Sequence, residues 1–194
     1  MKIRRHLLYG ACATALSSIF PGALTAQSPE CQFRGTPEAL AERPSPLDSV
    51  TISLGGREAK LCYGRPTVRG RAMIGGQVPY ETPWEMGANE PTTLHLPFPA
   101  RVGTVDLQPG SYSLYAIPGQ DEWTIVVNGN PNRWGVPISA EVRAADLGSF
   151  SVTPQVSARP VETLSFTFRP NGPASGALVY AWERLTFSIP VIRR

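Results

Sequence analysis

The chain has 194 residues, a formal charge of +3 and 42% hydrophobic residues. Three of its 18 basic residues, Lys2, Arg4 and Arg5, fall at the extreme N-terminus, leaving 15 basic against 15 acidic residues beyond the first 26. A chain without basic excess is not built to follow a nucleic-acid backbone, and nothing in its composition requires a cofactor.

Residues 1 to 26 read as a cleaved export signal. The positive start precedes an apolar run from Leu7 to Phe20, which is too short and interrupted to span a bilayer. Ala23-Leu24-Thr25-Ala26 offers small residues before Gln27. Removing 26 of the 194 residues leaves 168, enough for one domain with a sizeable core. The expected location is periplasmic or secreted. Cys31 and Cys62 then remain as an even pair, which predicts a disulfide in an oxidising compartment.

Residues 27 to 46 form an irregular arm, punctuated by Pro29, Pro37, Pro44 and Pro46, with room for one short helix over residues 36 to 43. A single domain is expected over residues 47 to 194. It opens with Val50, Ile52 and Leu54 alternating with Thr51 and Ser53, which predicts a half-buried strand. Gly55-Gly56 turns the chain into a second strand from Ala59 to Tyr63. A long polar loop follows, and strands resume at residues 92–96, 101–107, 111–117 and 122–127. Pro109-Gly110 and Pro118-Gly119 supply turns. Tyr112, Leu114 and Ala116 share one face, and Trp123, Ile125 and Val127 share another. Residues 141 to 147 are the second candidate helix. Strands are then expected at 150–157, 161–168, 177–182 and 185–189. Only Glu183-Arg184 separates the last two, which fits either a tight hairpin or one long strand with a bulge. About ten short strands with little helix predict an all-β fold, an antiparallel β-sandwich or jelly roll.

Polar residues concentrate in the long loop. Tyr63-Gly64-Arg65-Pro66-Thr67-Val68-Arg69-Gly70-Arg71 is followed by Trp84-Glu85-Met86-Gly87-Ala88-Asn89-Glu90-Pro91-Thr92-Thr93. Buried charges need partners and buried amides need hydrogen bonds, so these segments form either an internal network or a site. The site reading takes Arg65, Arg69, Arg71, Trp84, Asn89, Glu90 and Thr92 as contacts for a polar ligand, a sugar or an anionic envelope component. Planar guanidinium groups suit carboxylates and phosphates. Asn89 suits either a positive-φ turn or a ligand contact. Trp84 and Trp134, placed in loops, are the candidates for stacking on a sugar, whereas Trp123 and Trp182 sit in clean strand patterns and belong to the core.

Two other readings compete. A hydrolase acting on sugars would use Glu90 and Glu183 across one cleft. A structural or assembly protein would have every member of the polar cluster satisfied internally. His95 is the one histidine beyond residue 26, which leaves no multi-histidine metal site, and its strand position suggests a solvated side chain. The tract from Asn128 to Asn132 lacks the carboxylates of a calcium loop.

Taken together, Ser45-Pro46, Tyr63-Gly64-Arg65-Pro66, Gly70-Arg71, Val78-Pro79-Tyr80, Gly87-Ala88-Asn89-Glu90, Trp123-Thr124, Trp134-Gly135 and Ala181-Trp182-Glu183 resemble the exported bacterial family called Domain of Unknown Function 2911. The likeness covers nearly all of the chain beyond the signal. It implies an exported β-rich domain and no particular activity. Glu85 departs from the family pattern, where a basic residue commonly follows the tryptophan.

Overall fold

The computed structural model describes residues 29–194, so the expected export signal lies outside the described residues. Ten strands form two antiparallel sheets, as expected for an all-β sandwich. One sheet has the order β1-β2-β3-β6-β7-β8 and the other β5-β4-β10-β9. The strands are β1 (Leu47–Leu54), β2 (Arg57–Gly64), β3 (Thr92–Leu96), β4 (Ala100–Val102), β5 (Val105–Leu107), β6 (Gly110–Pro118), β7 (Trp123–Asn128), β8 (Asp146–Val152), β9 (Gln155–Gly172) and β10 (Ser175–Arg193). Two short helices accompany them, α1 (Pro37–Ala41) and α2 (Ala140–Arg143).

Local chemistry explains most element boundaries. Gly55 and Gly56 both adopt positive φ, 57° and 72°, the geometry of a two-residue hairpin between β1 and β2. Thr36 caps α1 by accepting from the Ala39 amide, and Pro37 occupies its first turn, where no amide is needed. Ser139 caps α2 in the same way.

Several expectations need correction. The strand expected over 101–107 is two strands, because Gly103 turns at φ 57° and folds β5 back on β4. The helix expected over 141–147 stops at Arg143, and Asp146 already belongs to β8. The strand expected over 150–157 breaks at Thr153-Pro154 between β8 and β9. The strands expected at 161–168, 177–182 and 185–189 lie within two long ones, β9 and β10. The junction at Glu183 is a bulge inside β10, with φ 51° and register shifts on both sides.

The core lies between the sheets. Ile52, Leu61, Leu94, Leu114 and Ile125 from one sheet are fully buried, as are Leu164, Leu178, Tyr180, Ile189 and Val191 from the other. Register pairs Leu114 with Val127 and Ala116 with Ile125, so the rows expected on separate faces of β6 and β7 point into the same interior. An aromatic stack fills one end of this core. Trp84 lies parallel to Trp182 at 5.5 Å, with the edge of Trp123 at 6.4 Å, and Trp123 in turn meets Tyr180 at 5.6 Å.

The arm is fastened to this framework. A disulfide joins Cys31 to Cys62 in β2, with a Cα–Cα distance of 5.7 Å. Arg34 and Arg43 reach Glu90 in the polar loop.

Candidate functional site

The loop between β2 and β3 is long, polar and rigidly attached. Backbone bridges tie Thr67 to Thr163 in β9 and Trp84 to Ala116 in β6. The second is a reciprocal pair of 2.8 Å hydrogen bonds. Glu183 accepts hydrogen bonds from the amides of Met73 and Ile74, both at 2.9 Å. The β10 bulge therefore presents a carboxylate to a chain reversal at residues 73–78. The two motifs interlock at Gly64, where an added Cβ would overlap the Ala88 carbonyl oxygen. The Gly135 amide donates to the Asn89 carbonyl at 2.7 Å, and the Glu85 side chain packs where a side chain at residue 135 would be.

A cleft of about 380 Å³ opens between these segments. Pro66, Met73, Val78, Pro83, Trp84 and Val136 supply apolar walls, while Arg71, Gln77, Thr82 and Glu85 supply polar groups. This volume lies at the lower end of the range for small-molecule sites, and the mixture of apolar walls with a few polar groups is typical of them.

Glu85 is the unusual member. Its residue is 6% exposed, and Oε2 is buried with no hydrogen-bond partner among the described residues. Burial pushes its carboxyl up to about 7, against a hydrogen bond from its own backbone and the attraction of Arg133. Arg133 is itself buried. Its guanidinium donates to the carbonyls of Trp134 at 3.0 Å and Gly135 at 2.6 Å, while Nε is left without a partner. Burial holds Arg133 below the ordinary guanidinium range, opposed by Glu85. No ion-pair contact joins the two side chains. Orphaned buried polar atoms are rare in folded proteins, and a carboxyl shifted in this way within a cleft marks a candidate site.

Of the sequence-predicted residues, Arg71 and Trp84 line this cleft and the others lie outside its lining. Arg71 is exposed and anchored by Nε to the Val68 carbonyl at 3.0 Å and by Nη2 to the Thr67 carbonyl at 2.7 Å. Trp84 is 7% exposed and stacked on Trp182, so its expected role as a free loop platform is corrected to that of a core residue with one edge on the cleft. Arg65 pairs with Asp48 at 3.1 Å and donates to the Leu164 carbonyl. The Arg69 amide donates to Glu162 and its guanidinium to the Pro44 carbonyl. Asn89 adopts φ 71°, the left-handed turn that its residue type favours, and its buried Nδ2 has no partner. Thr92 donates to the Met86 carbonyl at 3.0 Å.

Glu90 accepts from both terminal nitrogens of Arg43, at 2.6 and 3.0 Å, and from the Arg34 amide at 2.9 Å. Burial acts to raise its carboxyl, but these hydrogen bonds overcome that effect and hold it below the ordinary range. Arg43 also covers the ring of Trp134 at 5.9 Å, although Trp134 stays 46% exposed. His95 is half-buried rather than fully solvated. Its Nδ1 lies 2.8 Å from Ser111 Oγ, and burial, then Lys60, lower its pKa.

Arg133 and Arg43 were not singled out by sequence, and Glu85 stood out as a motif carboxylate and a departure from the family pattern rather than as a ligand contact. Glu85 alone carried a signal, an acidic residue inside an otherwise apolar and small run, Trp84 to Ala88. A second hollow of about 430 Å³ beside Cys31 and Lys60 is lined by none of the buried, unpartnered polar groups. Among the described residues no group of His, Cys, Asp and Glu is arranged to hold a metal ion, and no helix is long and apolar enough to cross a membrane.

No curated protein and no solved structure matches the chain. A family model does, over residues 45–191, a span containing β1 to β9, all but the last two residues of β10, and every wall of the cleft. The chain therefore belongs to the family described as "Protein of unknown function (DUF2911)".

Proposed function

We propose that this chain is an exported binding protein whose small ligand lodges in the cleft between the two polar motifs. The observation that carries the reading is Glu85, a buried carboxyl with an unpartnered oxygen on the wall of an open cleft. A guest that hydrogen-bonds the Glu85 carboxyl replaces the water lost when the loop closed around it. The disulfide agrees with an oxidising compartment, and the positive, apolar N-terminal sequence supplies the export route.

The competing readings have weaker support. Glu90 and Glu183 each hold structural hydrogen bonds, and neither lines the cleft, so the cleft does not serve a hydrolase built on this pair. A purely structural role would predict a saturated polar network, whereas Glu85 Oε2, Asn89 Nδ2 and Arg133 Nε are all orphaned.

The test is a ligand screen by NMR, covering neutral sugars, inorganic anions, amino acids and short peptides. The expected outcome is that a binder shifts amide signals of residues 71–88 and loses affinity in Thr82→Trp, which fills the cleft from an exposed wall. If no probe class perturbs those signals, or if binders are indifferent to Thr82→Trp, the reading fails.

A further inference from the structure

The charges on the walls of the cleft are complementary to a particular class of guest. Glu85 sits deep, at 6% exposure, with Oε2 unpartnered. Arg71 sits on the exposed rim. Two of its nitrogens are consumed by backbone carbonyls, which fixes the guanidinium in place, and no carboxylate among the described residues lies within ion-pair distance of it. Met73, Val78 and Trp84 provide apolar wall. One buried acid, one fixed external cation and an apolar surface therefore share a space of about 380 Å³.

Resting on the proposed binding role, we infer that the guest is a zwitterion of amino-acid or dipeptide size. Its ammonium group meets the Glu85 carboxylate on the cleft wall, its carboxylate meets Arg71, and its apolar side chain lies against Met73, Val78 and Trp84. Above pH 7, where the Glu85 carboxyl ionises, a neutral sugar leaves both walls without a counter-charge. A simple anion pairs with Arg71 and leaves Glu85 unsatisfied, and a simple amine does the reverse. The zwitterion alone satisfies both ends, and charge-assisted hydrogen bonds to desolvated groups are the strong ones. Arg133 attracts Glu85 from the protein side, but its Nη1 is held by the carbonyls of Trp134 and Gly135 and it makes no ion-pair contact with the carboxylate.

The test is calorimetric titration of the full chain with alanyl-leucine, N-acetyl-alanyl-leucine, alanyl-leucinamide and N-acetylglucosamine. Acetylating the amine is expected to weaken binding at least about tenfold, and amidating the carboxylate several-fold. Glu85→Gln is expected to weaken the free dipeptide at least about tenfold but to leave the acetylated one unchanged. Arg71→Gln should show the same pattern toward the amide. Should a variant fail to fold, the capped peptides on the unaltered chain still decide. Equal affinity for free and capped peptides, or indifference of the free dipeptide to Glu85→Gln, overturns the inference. Binding of N-acetylglucosamine alone overturns it while sparing the cleft as a site. Silence from all four probes, with none found in the wider screen, removes the cleft as a site too.

Discussion

Gly64 and Ala88 meet backbone to backbone, so closely that residue 64 has no room for a Cβ. This contact locks the end of β2 against the second motif and sets the cleft wall formed by Pro66, Gly87 and Ala88. Gly64 does not adopt a positive φ, so alanine is compatible with its backbone and the obstacle is the Ala88 backbone, its carbonyl oxygen above all. Gly64→Ala is expected to destabilise the domain by about 1–3 kcal/mol, as overpacking does. Gly129→Ala is the control, because its added Cβ would meet its nearest atom at an ordinary 3.4 Å. Denaturant unfolding of both variants checks the difference. Equal stabilities would show that the loop simply shifts aside.

Glu183 holds the other side of the same loop. Its two oxygens each accept one backbone amide, from Met73 and Ile74. Glu183→Gln keeps the shape but replaces one acceptor by an NH₂ group, which leaves a part-buried amide facing a donor. A loss of about 1–3 kcal/mol is expected, together with faster hydrogen exchange at Met73 and Ile74. If exchange there is unchanged, the bulge in β10 is not what fixes the cleft wall.

Much of this architecture could be read from local sequence. The alternation at Val50, Ile52 and Leu54 gave β1 its buried face, Gly55-Gly56 its hairpin, and Asn89 its left-handed turn, because each depends on nearest neighbours. The site was less legible. Glu85 and Glu90 look alike in sequence, five residues apart in one polar motif. Their difference arises from distant partners: Arg43 comes 47 residues along the chain to pair with Glu90, whereas no described residue hydrogen-bonds Glu85 Oε2. Trp84 likewise reads as a loop residue until Trp182 of β10 stacks on it. Local patterns reveal the period of an element. They do not reveal which of two similar side chains a remote strand will cover.

Cys31–Cys62 closes a loop with a sequence separation of 31, anchoring an arm whose helix buries no residue of its own. Constraint of the unfolded chain by a loop of this size is worth roughly 3 to 4 kcal/mol on the chain-entropy account. Cys31→Ala with Cys62→Ala is expected to lower stability by about that amount, and reduction of the native chain should match it in chemical denaturation. A loss well under about 1 kcal/mol would mean that Arg43, through Glu90, suffices to hold the arm.

Glu85 and Glu90 should impose opposite pH slopes on stability. Glu85 has a folded-state carboxyl raised to about 7 from an ordinary value of 4.5. Between these values the native state keeps a proton that the unfolded chain releases, so stability falls as pH rises through this window and levels off above it. The full shift corresponds to about 3 kcal/mol, at roughly 1.4 kcal/mol per unit. Arg133 behind Glu85 keeps its charge across this range, whereas His95, held below its ordinary value by burial and then Lys60, adds an opposite slope below pH 6.5, so the Glu85 slope is read against Glu85→Gln. Glu90 is held below 4.5 by Arg43 and the Arg34 amide against its burial. Its contribution is therefore complete above 4.5 and is lost as pH falls through its folded value. The stability of the unaltered chain relative to Glu85→Gln is expected to fall from pH 5 to pH 8, and to fall equally when Glu90→Gln is present in both. Unfolding free energies at half-unit pH steps decide the matter. If that difference does not change between pH 5 and pH 8, Glu85 is solvated in the free protein and its burial cannot drive ligand uptake.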